Sequence, residues 1–265
     1  MRITSIASCA PGAGGPVVFV GVKARDGWPA RPVRRVERDP GAEWDPHEWW
    51  ARIPAVRAVL EDGLDLPAGV TFLVGENGSG KSTLIEALAQ AYGLNPEGGS
   101  RGAMHRTRPT ESALGGVLRL VRSPGQRGDA YFLRAETTHG LYTYLEGLAN
   151  SPDRDLHDRS HGEGFLALLE RKFARAGFYL LDEPEAALSF TSTLSLLSRL
   201  AGLAEAGAQI VVATHSPVLT ALPGATVLEL DDQGIRTTAW SELAVVDHFR
   251  AFLDRPDRYL HHLLN

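Results

Sequence analysis

The segment GVTFLVGENGSGKSTLIEALAQAYG, residues 69–93, constrains this chain more than any other. Val70–Val74 is a short apolar run with strand character. Leu84, Ile85, Leu88, Ala91 and Tyr92 then recur at helical spacing, and Gly93 is a helix stop. Between the two lies GENGSGKS, Gly75–Ser82, which fits G-x-x-x-x-G-K-[ST] without a mismatch. Strand before and helix after is the context in which such a loop cradles phosphate. Gly75, Gly78 and Gly80 let the backbone close around phosphate oxygens. Glu76, Asn77, Ser79 and Thr83 complete a run of amides that ends at a helix N-terminus, the positive end of its dipole. Lys81 supplies a mobile cation, and the Ser82 hydroxyl suits Mg²⁺. The only lysines are Lys23, Lys81 and Lys172, so a lysine at this position stands out among the arginines.

A second polar cluster ends another apolar run. In FYLLDEPE, Phe178–Glu185, Asp182 follows four apolar residues, the position from which a carboxylate beside a phosphate loop can hold Mg²⁺. Glu183 comes next, points differently along an extended chain, and can face an attacking water as general base. QIVVAT, Gln209–Thr214, is a further buried strand, followed by His215, Ser216 and Pro217. Strands alternating with helices, with polar residues at strand carboxyl ends, predict a mostly parallel α/β sheet flanked by helices.

Elsewhere residues 1–72 read as strands with irregular connections, an N-terminal antiparallel β element that includes Val17–Val22. Strands are expected at Gly116–Val121 and Ala130–Leu133, and helices at Phe165–Arg175, ended by Gly177, and at Leu194–Ala206. A hairpin is expected at Thr226–Leu230 and Gly234–Thr238, and the chain closes on helices at Trp240–Leu253 and Asp257–Leu264. With 265 residues, 43% of them hydrophobic, the chain buries a core without disulfides, and its one cysteine, Cys9, excludes an internal bridge. No apolar run approaches membrane-spanning length and the N-terminus is a poor signal peptide, so a soluble, cytoplasmic protein is expected. A net charge of −5 argues against coating nucleic acid by bulk charge.

Taken together, GENGSGKS, SHGEG, YLLDEPEAAL and ATHSP resemble the ATP-binding-cassette (ABC) class of P-loop ATPases, and more narrowly its small stand-alone members related to the SMC and DNA-repair branch. The resemblance covers residues 56–230, within a single ABC-type domain over 1–265. That domain divides into a β-rich part (1–72), the phosphate loop and helix (73–93), an inserted lobe (94–164), a core (165–238) and C-terminal helices (239–265). The resemblance implies that ATP and Mg²⁺ are bound by Gly75–Thr83, that Ser82 and Asp182 hold the metal, and that Lys81, Glu183 and His215 are catalytic. His215 would sense the γ-phosphate. Ser160 and Gly162 match the signature segment, which departs from LSGGQ at Arg159, His161 and Glu163. Ala186–Ser189 matches the D-loop. For the Q-loop residue, Glu136 at a strand end is preferred over Gln126 and joins the expected metal ligands. Trp44, Trp49 and Trp50 are candidates to stack on adenine, with core packing as the competing reading.

Since the signature of this class faces the nucleotide of another protomer, the resemblance implies a head-to-tail homodimer joined through signature and D-loop, with ATP between the chains. The narrow resemblance points to DNA repair or phage defence, with nucleic acid or a separately encoded effector as partner. Arginines at 31–38 and 101–108 could touch phosphates. Ser160 follows Ser82 by 78 residues, too few for a long coiled-coil arm. A transporter's nucleotide-binding subunit and an ATP-gated partner-binding switch are the alternatives.

Overall fold

The computed structural model describes residues 31–101, 112–124, 128–147 and 160–264, together with Asp153, Asp155, Leu156 and Asp158. Val17–Val22, Gln126, Arg159 and most of the 101–108 arginine cluster lie outside the described residues.

In chain order the elements are β1 (Val33–Arg38), α1 (Pro54–Asp62), β2 (Leu64–Asp65), β3 (Gly69–Val74), α2 (Lys81–Tyr92), β4 (Gly99–Ser100), α3 (Leu114–Val117), β5 (Leu118–Arg122) and β6 (Asp129–Arg134). There follow α4 (Thr138–Gly147), α5 (His161–Lys172), β7 (Gly177–Asp182), α6 (Phe190–Glu205), β8 (Gln209–Thr214), β9 (Thr226–Asp231), β10 (Gly234–Thr237), α7 (Ala244–Asp254) and α8 (Pro256–Leu264). A seven-stranded sheet runs in the order β10-β9-β3-β8-β7-β6-β4, and a three-stranded sheet in the order β2-β1-β5. The five strands from β9 to β6 are parallel, while β10 and β4 join the edges antiparallel. The fold is thus the mostly parallel α/β sheet flanked by helices that the sequence predicts, with a separate antiparallel sheet.

Strands β3, β7 and β8 are buried along their whole length, which is why they read as unbroken apolar runs. Alternate residues serve opposite faces. Leu73, Leu180 and Val211 pack with Leu84, Ile85 and Leu88 of α2. Phe72, Leu181 and Val212 pack with Leu168 and Leu169 of α5 and Leu196 and Leu200 of α6. With both faces filled, the strands cannot slip in register without misplacing every side chain. Their carboxyl ends, where β3, β7 and β8 stop together at Val74, Asp182 and Thr214, are held in fixed relation.

Several expectations need correction. Within residues 31–72 a helix stands among the expected strands and irregular connections: α1 begins with Pro54 at its first position and buries Ala55, Val56, Val59 and Leu60 on one face. The small sheet is not wholly N-terminal, because its third strand, β5, comes from beyond the phosphate-loop helix. The strand expected at Gly116 starts at Leu118, after the helical turn α3. Helix α4 had no expectation. Helix α5 starts at His161 and ends at Lys172; Gly177 instead opens β7, where a Cβ would stand 2.3 Å from the Asp129 carbonyl of β6. Helix α6 starts at Phe190, capped by Ser189, whose hydroxyl accepts from the Ser192 amide. Trp240–Glu242 is a separate 3₁₀ turn, so the next helix begins at Ala244.

Candidate functional site

The phosphate loop leaves β3 at Val74 and returns as α2 at Lys81. Gly75 is closely approached, since a Cβ there would lie 2.3 Å from the Leu230 carbonyl oxygen. Gly80 sits at φ +98°, and a Cβ there would meet Ile53 at 2.6 Å. Both positions therefore require glycine. Glu76, Asn77 and Gly78 form the exposed tip. Lys81 is buried, and its Nζ donates to the Gly75 carbonyl (2.9 Å) and the Glu76 carbonyl (3.0 Å). Burial pushes its pKa down, against the pull of Glu183, Asp182 and Glu185.

Ser82 Oγ donates to Asp182 Oδ1 at 3.1 Å, joining the first turn of α2 to the end of β7. Asp182 is 3% exposed, and burial pushes its carboxyl up to about 6 against the opposing effects of Arg134 and Ser82. Glu183 follows at φ 47°, ψ 49°, the one non-glycine residue at positive φ among the described residues. Backbone strain of this kind gathers at functional sites. Glu183 Oε1 lies 3.3 Å from His215 Nε2. The cleft lined by Ser82, Arg134, Ala135, Glu136, Asp182, Glu183 and Ala186 holds about 460 Å³.

Glu185 carries the loop after β8. Its Oε1 accepts from Thr214 Oγ1 and from the His215 amide, both at 2.6 Å. Glu185 Oε2, His215 Nε2 and Ser79 Oγ are buried with no hydrogen-bond partner among the described residues. Buried polar atoms are seldom left this way; these three lie on the phosphate loop and on the loops after β7 and β8, and Arg134 Nε, which lines the cleft itself, is a fourth, so donors and an acceptor remain for a ligand to satisfy. The donor set fits the implied group as well. Among the described residues no cluster of three or more His, Cys, Asp or Glu side chains could hold a metal alone. The Ser82 hydroxyl with the carboxylates of Asp182 and Glu136 in the same cleft suits Mg²⁺, which takes few protein ligands and completes its shell with water and substrate phosphate.

Ser160 and Gly162 lie elsewhere. Ser160 caps α5 in a capping box: its Oγ accepts from the Glu163 amide, and its own amide donates to Glu163 Oε2. A Cβ on Gly162 would stand 3.0 Å from the Ala187 carbonyl, so the start of α5 lies against the turn after β7 within one chain. Among the described residues no hydrogen bond joins Ser160–Glu163 to Gly75–Ser82.

Glu136 is 78% exposed and its Oε2 lies 3.3 Å from an Arg134 nitrogen. Trp50 is 1% exposed and tilted against Trp44, with 5.5 Å between ring centroids, so these two are packing residues and not a base platform. Trp49 stays 56% exposed. Three participants carried no expectation: Glu185, Arg134 and Glu86. The first is visible in DEPE, three residues past Asp182; the second is a charge closing the apolar run AYFL.

A phosphate loop, a buried carboxylate and a strained glutamate facing a histidine, on the carboxyl ends of three adjacent parallel strands, define a P-loop nucleotide-hydrolysing site. A family model described as an AAA domain matches residues 56–118. The cytochrome c biogenesis ATP-binding export protein CcmA of Rhodospirillum rubrum is 35% identical over 185 residues, 62% of this chain and 75% of that protein. An ABC transporter ATP-binding protein of Streptomyces coelicolor is 32% identical over 194 residues, 64% of this chain; the match spans only 32% of that longer protein. A solved metal-chelate type ABC transporter aligns with a TM-score of 0.47 at 18% identity, over 84% of this chain and 89% of that one. The chain belongs to the ABC family of ATP-binding proteins, and it is an ATPase. Among the described residues no helix is long and apolar enough to cross a membrane.

Proposed function

We propose that this chain hydrolyses ATP between two head-to-tail copies of itself and passes the closing and opening of the pair to a separately encoded partner. The observation that carries the reading is the division of the site. Lys81, Ser82, Asp182, Glu183 and His215 converge, while Ser160 and Gly162 stand at the start of another helix beside Ala187, with no hydrogen bond to the chain's own phosphate loop among the described residues. A second copy supplies the missing half, so ATP favours the closed pair by its differential affinity for that state.

In this reading the loop amides and Lys81 would hold the β- and γ-phosphates, and Ser82 and Asp182, with Glu136 at the cleft mouth, would hold Mg²⁺. The metal supplies Lewis-acid stabilisation of phosphate charge. Glu183 orients a water and takes its proton as the water oxygen bonds to the γ-phosphorus and the bond to ADP breaks. His215 Nε2, buried, 3.3 Å from Glu183 Oε1 and without a hydrogen-bond partner among the described residues, is the donor for the γ-phosphate in this reading. Glu185 keeps that histidine's backbone in place. Loss of the γ-phosphate removes these contacts and lets the pair open.

A second reading, a transporter's nucleotide-binding subunit, is favoured by the names of the relatives, an export protein and an ABC transporter component. A nucleic-acid role has less support, because within the 31–38 cluster Arg35 is paired with Glu37 and Asp65 and Arg31 donates to the Leu66 carbonyl. The deciding experiment is light scattering of Glu183→Gln with and without ATP. A dimer that forms only with ATP is expected; a monomer under saturating ATP would overturn the sandwich. Hydrolysis rates with and without DNA, and with membrane vesicles carrying a neighbouring permease, then separate the outputs.

A further inference from the structure

Arg134 belongs to none of the family motifs, yet three carboxylates converge on it. It is the last residue of β6, in register with Asp182 of β7. Its Nε lies 3.3 Å from Asp182 Oδ2, an ion pair without hydrogen-bond geometry; one terminal nitrogen donates to Glu86 Oε2 at 3.2 Å, and the other lies 3.3 Å from Glu136 Oε2. Glu86 comes from α2, one turn beyond Ser82, so the guanidinium bridges the phosphate-loop helix, the β6 end and the β7 end. The Arg134 side chain is only 21% exposed. Guanidinium keeps its charge throughout the working pH range and has no lone pair to offer a metal. The one buried carboxylate of the cleft therefore already has a fixed cation on Oδ2, while Oδ1 takes the Ser82 hydroxyl.

We propose that Arg134 is a resident counter-cation of the metal site: it holds Asp182 oriented toward Ser82 and opposes by charge the entry of a divalent cation until a triphosphate comes with it. The inference rests on the reading of Ser82 and Asp182 as metal-holding residues. Two positive centres sharing one carboxylate in a half-dry cleft repel each other, so metal alone binds weakly. The negative charge of a bound triphosphate reverses that balance, and metal and nucleotide load as a unit. Arg134 is then a positioning residue with an electrostatic effect beyond its clip between strands and helix.

The test is Mn²⁺ binding to the full chain at pH 8, followed by the paramagnetic resonance of free Mn²⁺, without nucleotide and with ADP. Arg134→Gln should bind Mn²⁺ about tenfold more tightly than wild type without nucleotide. With ADP the difference should shrink. Arg134→Lys, which keeps the charge, should stay within about twofold of wild type. Asp182→Asn should lose the site. If Arg134→Gln binds Mn²⁺ no more tightly while Asp182→Asn loses it, Arg134 is a clip only and the proposal falls. If Asp182→Asn binds as well as wild type, the metal-site reading itself falls. Should Arg134→Gln fail to melt cooperatively, Glu86→Gln replaces it. Removing that carboxylate turns the guanidinium more fully on Asp182 and should weaken nucleotide-free Mn²⁺ binding several-fold; unchanged affinity there also overturns the proposal.

Discussion

Strand β8 begins and ends in opposite chemical conditions. At its start Gln209 is 1% exposed and fully used: its Oε1 accepts from the Val33 amide at 2.9 Å, and its Nε2 donates to the carbonyls of Val33, Leu66 and Pro67 at 2.7, 3.1 and 3.0 Å. One side chain thereby ties the small antiparallel sheet to the large one. At the other end the accounts stay open. Glu185 Oε2, His215 Nε2 and Ser79 Oγ are buried without hydrogen-bond partners among the described residues, Glu183 sits in a left-handed backbone conformation, and Asp182 is ionised at a cost. A chain that can satisfy four buried polar groups with one glutamine has not left the far end unsatisfied for want of partners. The closed end fixes two sheets together, and the open end reserves its donors for something that arrives after folding.

The largest effect should fall on chemistry at the open end. Glu183→Gln removes the proton acceptor while keeping shape, so the rate of phosphate release should fall about a thousandfold with ATP affinity intact. A fall of less than about tenfold would mean that another group takes the proton. At the closed end the effect should be on stability alone. Gln209→Leu takes a partner from the Val33 amide and from the Val33 and Pro67 carbonyls, while the Leu66 carbonyl keeps Arg31; it should cost about 3 kcal/mol in urea unfolding, with ATP affinity per folded molecule unchanged. If that variant instead lost activity at full stability, the contrast between the ends would be wrong.

Much of the open end was legible in the sequence because phosphate chemistry imposes fixed residue types at fixed spacing. Gly75–Ser82, Asp182–Glu183 and His215 each follow a strand whose burial on both faces writes an unbroken apolar run. The closed end was not legible. Gln209 looks like any polar residue at a strand start, and only the tertiary approach of Val33 and Leu66, 176 and 143 residues away in sequence, gives it a role. Arg134 was hidden for the same reason, since its three acidic partners come from three elements. Helix α1 carries its period only in Ala55, Val56, Val59 and Leu60, a pattern of nine residues too short to stand out from the irregular, aromatic-rich sequence before it. The signature was readable only through the family, as its local signals are those of any capped helix.

A smaller effect should appear at Asp182 in the metal-free protein. Its folded pKa of about 6 lies above the ordinary 3.8, so the folded chain holds the proton more tightly than the unfolded chain does. The cost of ionising it is absent at low pH, grows as pH rises through the window between those two values, and is complete above it. Asp182→Asn should therefore stabilise the metal-free chain by about 2 kcal/mol at pH 8 and by nothing near pH 4, read from urea unfolding at each pH. Destabilisation at pH 8 would show that the pairing with Arg134 and Ser82 outweighs the burial, and the open end would then be less strained than its geometry implies.

The smallest effect tests a residue that belongs to both conditions at once. Ser160 lies on the half of the site that a second chain would use, yet its hydroxyl is already spent: it accepts from the Glu163 amide at 3.4 Å and donates to Glu163 Oε2 at 2.6 Å. Ser160→Ala should cost about 1 kcal/mol from the lost cap. That loss alone cannot say whether the hydroxyl also serves a nucleotide, so Ser160→Asn is the sharper variant. Asparagine caps a helix as well as serine does, and stability should stay within about 0.5 kcal/mol of wild type. Its bulkier amide cannot turn a hydroxyl toward a γ-phosphate held by the other chain. ATP-dependent pairing of the Glu183→Gln protein should therefore weaken in Ser160→Asn although the helix is as stable as before, measured by light scattering across an ATP titration. Pairing that survives the change undiminished would reduce Ser160 to a cap, leaving the amides of α5 and Gly162 as the whole of the second half-site.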